Sequence, residues 1–233
     1  MNTLLMRLAA PIQSWGADSK FEERRATMRE PTKSGVIGML AAAIGRRRDE
    51  SVDDLSKLNF GVRIDQPGLL LRDYHTAKSN DGKVSYVTHR YYLADAVFLV
   101  GVEGESALIH MLDNALNSPV FPLYLGRRSC PPTGRISLGV SEKPLLEALK
   151  ETPWQAGYYH RKRVLLPNKP HNLTLVFDTE GTGNLRRHDL PLSFDQRYRK
   201  YNYRYLVDNP NAVEIRHSHE TDHDAFEAVG KEF

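Results

Sequence analysis

The 233-residue chain has a single cysteine, Cys130. One thiol excludes an internal disulfide and a cysteine-clustered zinc site, and fits a reducing compartment; Cys130 reads as a small buried hydrophobe. No apolar run approaches the ~20 residues needed to span a bilayer, and Met1–Leu8 lacks the apolar core and cleavage pattern of a secretion signal. A cytoplasmic location without membrane contact is the expectation. Internal repeats and low-complexity stretches are missing as well. Nor is there a large excess of either charge: 32 Lys and Arg face 29 Asp and Glu, a net of +3, which permits a nucleic-acid partner without demanding one. With 40% hydrophobic and 26% charged residues, the chain falls outside the disordered and fibrous classes. Its length suffices for one large domain with a proper core.

Charge placement says more than charge total. Eight basic residues, Lys20, Arg24, Arg25, Arg29, Lys33, Arg46, Arg47 and Arg48, face three acids between positions 20 and 48. Basic residues dominate again from Arg161 to Arg204, and the tail after Val207 is rich in Asp and Glu.

Alternation over Asn2–Ala9 predicts a first strand. A long polar loop from Pro11 to Pro31 carries Trp15 and Phe21 and ends at Thr32, a suitable N-cap. Val36, Ile37, Leu40, Ala41 and Ile44 then recur at helical spacing, with Gly45 placed to end the helix in a left-handed cap. Gly35 and Gly38 each cost such a helix about 1 kcal/mol relative to Ala, so something approaches closely there. Tight helix–strand packing is one account; phosphate reaching free N–H groups in the first turn is the other.

Further on, Ser51–Leu58 predicts a short helix, Phe60–Asp65 a strand, and Leu69–Arg72 an apolar extension after the Pro67-Gly68 turn. Periodicity breaks at Lys78–Lys83, where Ser79-Asn80-Asp81-Gly82 suits the tip of a projecting loop. Tyr91–Val102 predicts one long strand, Glu105–Leu116 an amphipathic helix and Ile136–Val140 a short strand. The order is that of an α+β, ferredoxin-like βαββαβ domain, an architecture common among RNA-binding modules. The expected division is 1–143 for this domain and 144–233 for a smaller β-rich extension, with a helix at Pro144–Lys150, a strand at Leu173–Phe177 and an acidic tail.

Four segments together resemble one family: Leu8-Ala9-Ala10-Pro11-Ile12-Gln13-Ser14-Trp15-Gly16, Pro31-Thr32-Lys33-Ser34-Gly35-Val36-Ile37-Gly38-Met39-Leu40, Leu71-Arg72-Asp73-Tyr74-His75-Thr76 and Tyr124-Leu125-Gly126-Arg127-Arg128-Ser129-Cys130-Pro131. In order and spacing they are similar to the CRISPR-associated CasD family of the subtype I-E Cascade complex, over roughly the first 140 residues. The closing His-containing acidic tail departs from that pattern. The resemblance implies a RAMP-like subunit, non-catalytic and without a cofactor, that holds the 5′ handle of the guide RNA (crRNA). It also implies contact with the backbone subunit and the large subunit of Cascade, and through the latter an indirect relation to target DNA. A thumb projecting from a hairpin is implied too, placed here at about 76–90 and carrying Lys78, Lys83, His89 and Arg90.

Such a handle presents phosphates, 2′-hydroxyls and splayed bases, so its holder combines cations, amides and aromatic platforms. The candidates are Gln13, Trp15, Arg24, Arg25, Arg29, Lys33, Ser34, Gly35, Tyr74, His75, Arg127 and Arg128. For Trp15 the competing role is a buried loop anchor, and for Arg127 and Arg128 an inter-subunit salt bridge. Arg46–Arg48 also suit the C-terminal end of the helix dipole. Two rival functions remain. Tyr74, His75, Lys83, Tyr86 and His89 supply the acid, base and cation of a metal-independent endoribonuclease, as in a relative from a sibling CRISPR subtype; His217, His219 and His223 are candidate metal ligands, although their spacing fits no defined motif.

Overall fold

A computed structural model describes residues 1–16, 24–83, 85–166, 169–181 and 183–216. The fold is α+β, with two mostly antiparallel sheets and five helices among the described residues. Strand β1 (Asn2–Ala9) lies between β7 (Val97–Gly104) and β8 (Ser137–Ser141), and β7 is flanked on its other side by β4 (Asn59–Gln66). All three pairings are antiparallel. Because the side-chain period of a strand is two, Leu4, Met6 and Leu8 of β1 face one side. There they pack with α1 (Lys33–Ala43) and α3 (Ser106–Asn117). Leu5 faces the other side, into a smaller cluster with Leu145 and Leu149 of α4 (Leu145–Glu151).

Thr32 caps α1 as expected: its hydroxyl accepts the Gly35 N–H at 3.2 Å, a cap worth ~1 kcal/mol. The far end closes in a Schellman turn, with Gly45 N–H donating to Ala42 and Arg46 N–H to Ala41, which requires the positive φ of Gly45, +80°. Arg46 then pairs with Asp54 of the short helix α2 (Asp53–Ser56) rather than simply sitting in the field of the helix end.

Two expectations are corrected. The stretch from Tyr91 to Val102 is not one strand. It breaks at Asp95, where φ is +54°, a conformation that Asp tolerates better than most residues. The Asp95 carboxylate accepts from Gln66 Nε2 at 2.8 Å, and its amide donates to the Pro11 carbonyl, so the kink is held from two sides. The piece before it, β6 (Ser85–Ala94), belongs to the second sheet. The second correction concerns the expected aperiodic thumb at 76–90. It is the outer part of a regular hairpin of β5 (Leu69–Lys78) and β6, ten residues each, in unbroken register from Leu69–Ala94 to Lys78–Ser85. Nearly all of β5 is exposed, so its hydrophobic alternation carries no signal of burial.

Beyond the boundary expected at residue 143, β9 (His171–Thr179) pairs with β4, and β11 (Lys200–Ile215) and β10 (Leu185–Ser193) follow outward. These strands continue the first sheet to seven, in the order β10-β11-β9-β4-β7-β1-β8. A buried pair in β4 fastens the intervening segment. Arg63 binds Asp65 at 2.7 Å and donates to the carbonyls of Leu149, Thr152 and Pro153, while Asp65 accepts the Gln155 amide. Buried charges are stable only when satisfied in this way; Arg63 also supplies donors to the last carbonyls of α4.

Candidate nucleic-acid interface

The hairpin stands at the crossing of three chain segments. On the edge of β6 away from β5 lie β2 (Ile12–Gln13) and β3 (Arg24–Arg25), which pair with it in succession. Strand β3 runs parallel to β6, with Arg24 opposite His89 and Arg25 opposite Arg90. The two legs of the N-terminal loop are zipped beneath: Trp15 N–H donates to Thr27 Oγ1 at 2.9 Å, and Met28 N–H to the Trp15 carbonyl at 2.8 Å.

The third segment is the turn from Leu125 to Cys130. Leu125 N–H donates to the Cys130 carbonyl and Cys130 N–H to the Arg127 carbonyl, while Ser14 N–H donates to Leu125. Gly126 has φ +88°, and a Cβ there would lie 1.6 Å from the Ser14 carbonyl oxygen. Only glycine lets the turn dock. So docked, Arg127 reaches the Arg25 carbonyl through Nη2 at 2.8 Å and lies 4.8 Å from the centroid of the Tyr92 ring.

Arg90 shares a face of β6 with Tyr92, two residues on, so two guanidiniums converge on one phenol. Burial pushes the Tyr92 hydroxyl up, but hydrogen bonding to Ser129, Arg127 and Arg90, together with the Arg127 charge, outweighs it and holds its pKa below the ordinary value. Arg127 Nη1 and Arg90 Nε are buried and find no acceptor among the described residues. Each such donor costs about 1–3 kcal/mol when left unpaired, and an anion is a complement that would suit either cation. Arg25, Arg29 and Arg128 are exposed around this point, as are Arg72, Lys78 and Lys83 along the hairpin. Cys130, beneath the turn, is buried, and that burial raises its thiol pKa.

Other sequence candidates do different work. Trp15 is fully buried; its Nε1–H donates to Gln13 Oε1, and Gln13 Nε2 donates to the carbonyls of Leu8 and Ala96. Neither is available to stack on or bond a base, and the loop-anchor role of Trp15 prevails. Gly35 is explained by the same ring, since a Cβ there would lie 2.9 Å from Trp15 Cε3. Its amide is spent on Thr32, and Ser34 is half-buried with its hydroxyl near Thr32 Oγ1.

The start of α1 is no phosphate site, because a carboxylate already occupies it. Lys33 N–H donates to Asp189 Oδ2 at 2.9 Å, and the buried Lys33 ammonium pairs with Asp178 at 2.8 Å. Arg204 of β11 completes the network by binding Asp189 at 2.6 Å and also Asp178. The basic N-terminal unit is therefore split, with Lys33 turned inward and Arg25 and Arg29 outward. The side chain of Arg24 and residues Phe21, His217, His219 and His223 lie outside the described residues; among those described, no cluster of three or more His, Cys, Asp or Glu could hold a metal ion.

The candidate nuclease residues do not converge. In the register of the hairpin Tyr74 lies opposite His89, and their rings are 5.7 Å apart. His75 lies opposite Thr88, and Tyr86 opposite Ala77. Alternation therefore puts Tyr74 and His89 on one face, and His75 and Tyr86 on the other. His89 is further engaged by Arg72, whose Nε is 3.3 Å from Nδ1. Tyr92, Arg72 and Ser129 are not among the sequence candidates. The available signal is the i, i+2 spacing of Arg90 and Tyr92, masked because Tyr92 also fits an apolar strand face.

A family model described as CRISPR-associated protein (Cas_Cas5) matches residues 3–207. The chain belongs to the Cas5 family of CRISPR-associated proteins. Its similarity to CasD, first visible in the four segments, is direct: it is 38% identical over 163 residues to the CRISPR system Cascade subunit CasD of Escherichia coli (strain K12), covering 60% of this chain and 71% of that one. Two solved structures share its shape. A crystal structure of a Cas protein is 42% identical with a TM-score of 0.70, over 91% of this chain and 97% of its own. A chain of a CRISPR RNA-guided surveillance complex is 34% identical with a TM-score of 0.69, over 91% of both chains. The Cas5 match thus embraces the hairpin, the Arg127 turn and the strands through the first half of β11.

Proposed function

We propose that this Cas5-family protein is a non-catalytic, cytoplasmic subunit of a Cascade surveillance complex that holds the 5′ handle of the crRNA. The observation that carries this is the convergence of Arg90 and Arg127 on Tyr92, each with a buried donor lacking an acceptor. A phosphate of the handle supplies the missing acceptor, and Arg25, Arg29 and Arg128 neutralise its neighbours. The strand order β4-β7-β1-β8 with α1 and α3 on one face supports reading residues 1–143 as a ferredoxin-like RNA-binding body, with β5–β6 as its thumb. Lys78 and Lys83 near the thumb tip follow the RNA toward the backbone subunit, and the large subunit that meets target DNA sits alongside. The separation of Tyr74 and His89 from His75 and Tyr86 supports a holding role over cleavage.

The test is co-expression with the other subunits and a repeat-containing RNA. Arg90→Ala with Arg127→Ala is expected to lower guide retention by roughly tenfold or more, since a hydrogen bond to a charged group is worth about 1.5–3 kcal/mol. Unchanged retention overturns the assigned site. Metal-independent cleavage of repeat RNA by the purified protein, abolished by His75→Ala or His89→Ala, overturns the non-catalytic assignment.

A further inference from the structure

We infer that the face of β10 and β11 turned away from α1 is a second binding platform, for single-stranded nucleic acid. Arg204 and Leu206 of β11 are buried, and Arg204 reaches across to the network of α1, so the alternating residues Tyr203 and Tyr205 point outward. They are 48% and 43% exposed. Arg186 of β10 lies directly opposite Tyr205, and its guanidinium is 3.9 Å from the centroid of the Tyr203 ring. The half-buried His188 ring sits 4.6 Å from the same ring at an interplanar angle of 33°. Tyr203 is thereby held by the Arg186 guanidinium and the His188 ring, and Tyr205 beside it has no ring or cation stacked on it among the described residues. Two side chains on one strand face are ~6.8 Å apart, so a base stacked on Tyr205 has the fixed Tyr203 ring and the Arg186 cation as its neighbours.

Charge selects the ligand class. The inward cations of these strands are all matched: Arg187 pairs with Glu30, and Arg204 with Asp178 and Asp189. The exposed ones are not. Arg186, and Arg197, Arg199 and Lys200 in and after the connecting turn, are exposed and make no ion pair among the described residues. Tyr198 stands with them, 69% exposed, with the Lys200 ammonium 6.0 Å from its ring centroid. Exposed aromatic faces interleaved with unmatched cations are what a base-stacking, phosphate-tracking surface requires. A protein partner would need matching acids and an apolar centre; the exposed side chains named here are aromatic or cationic. None of these residues belongs to the Arg90–Arg127 site, and the platform stands independently of the handle assignment.

The test uses the intact chain and fluorescein-labelled 12-mers of uridine or thymidine, read by anisotropy. Measurement in the Arg90→Ala, Arg127→Ala background isolates the platform from the handle site, so failure of one is distinguishable from failure of the other. Tyr203→Ala with Tyr205→Ala should weaken binding there by roughly five- to a hundredfold, the range expected for losing a base–aromatic stack. Tyr203→Phe with Tyr205→Phe should retain it, which separates stacking from folding. Arg186→Ala should reduce the slope of log K against log salt by about one. The uridine and thymidine arms decide between RNA and DNA. Equal affinity in the Ala, Phe and parent proteins overturns the platform, as does loss of a protein partner in the Ala variant with oligonucleotide binding unchanged.

Discussion

Arg127 is held by the carbonyls of Arg25 and Ala26 and by the Tyr92 ring, leaving a planar guanidinium with the Nη1 donor unused. Its fork, and not only its charge, is what the site employs, because a lysine offers no second in-plane N–H. Arg127→Lys is therefore expected to recover only a minor part of the guide affinity lost in Arg127→Ala, as measured by anisotropy on a labelled handle RNA. Arg204 gives the contrasting case of a cation that serves the fold. Truncating it leaves Asp178 to the Lys33 ammonium and the buried Asp189 to the Lys33 N–H alone, and removing one partner of a buried pair costs up to about 3–5 kcal/mol. Arg204→Ala should lower the urea midpoint accordingly, while the β5–β6 hairpin keeps its structure. Nothing local in the sequence distinguishes these two arginines. Lys33 teaches the same lesson, since its place in a basic run suggested phosphate, and only the arrival of Asp189 from 156 positions away turns it inward.

At the scale of elements, regular pieces with one buried face were legible. Strand β1, helix α1 with its Thr32 cap and Gly45 terminus, and helix α3 all follow from periodicity and capping chemistry. The hairpin was not, because neither of its strands hides a face along most of its length, and alternation is a signal of burial rather than of pairing. The break at Asp95 was hidden for the opposite reason: apolar residues continue through it into a different sheet. Turn 125–130 matters more than its length suggests, for it aims Arg127. Gly126→Ala should push the turn off Ser14, given the 1.6 Å approach, and lower guide affinity to about the level of Arg127→Ala together with a reduced melting temperature. Arg128→Ala, at an exposed position in the same turn, should leave the melting temperature unchanged.

For the whole molecule, the seven-stranded sheet binds late residues to early ones. Its behaviour in acid follows from His160 and His171, which flank Trp154 in the C-terminal half. Burial holds both below the usual histidine pKa of 6.5, and at His160 the Arg163 cation and His171 add to the effect. The unfolded chain thus takes up protons first as the pH falls, so this contribution to stability is complete above about pH 6.5 and declines below it. Melting temperatures should drop between pH 7 and pH 5.5, and drop less in the double variant His160→Gln, His171→Gln.

Arg63 and Asp65 give the sheet a direction in time. Both lie in β4, yet their partners at Leu149, Thr152, Pro153 and Gln155 are made some ninety residues later. During synthesis the first half of the protein leaves the ribosome with a charged pair it cannot bury and an edge of β4 still waiting for β9. A chain ending at residue 143 would lack both the partners of this pair and the strand that covers β4, and is expected to be cleaved faster by protease than the full chain.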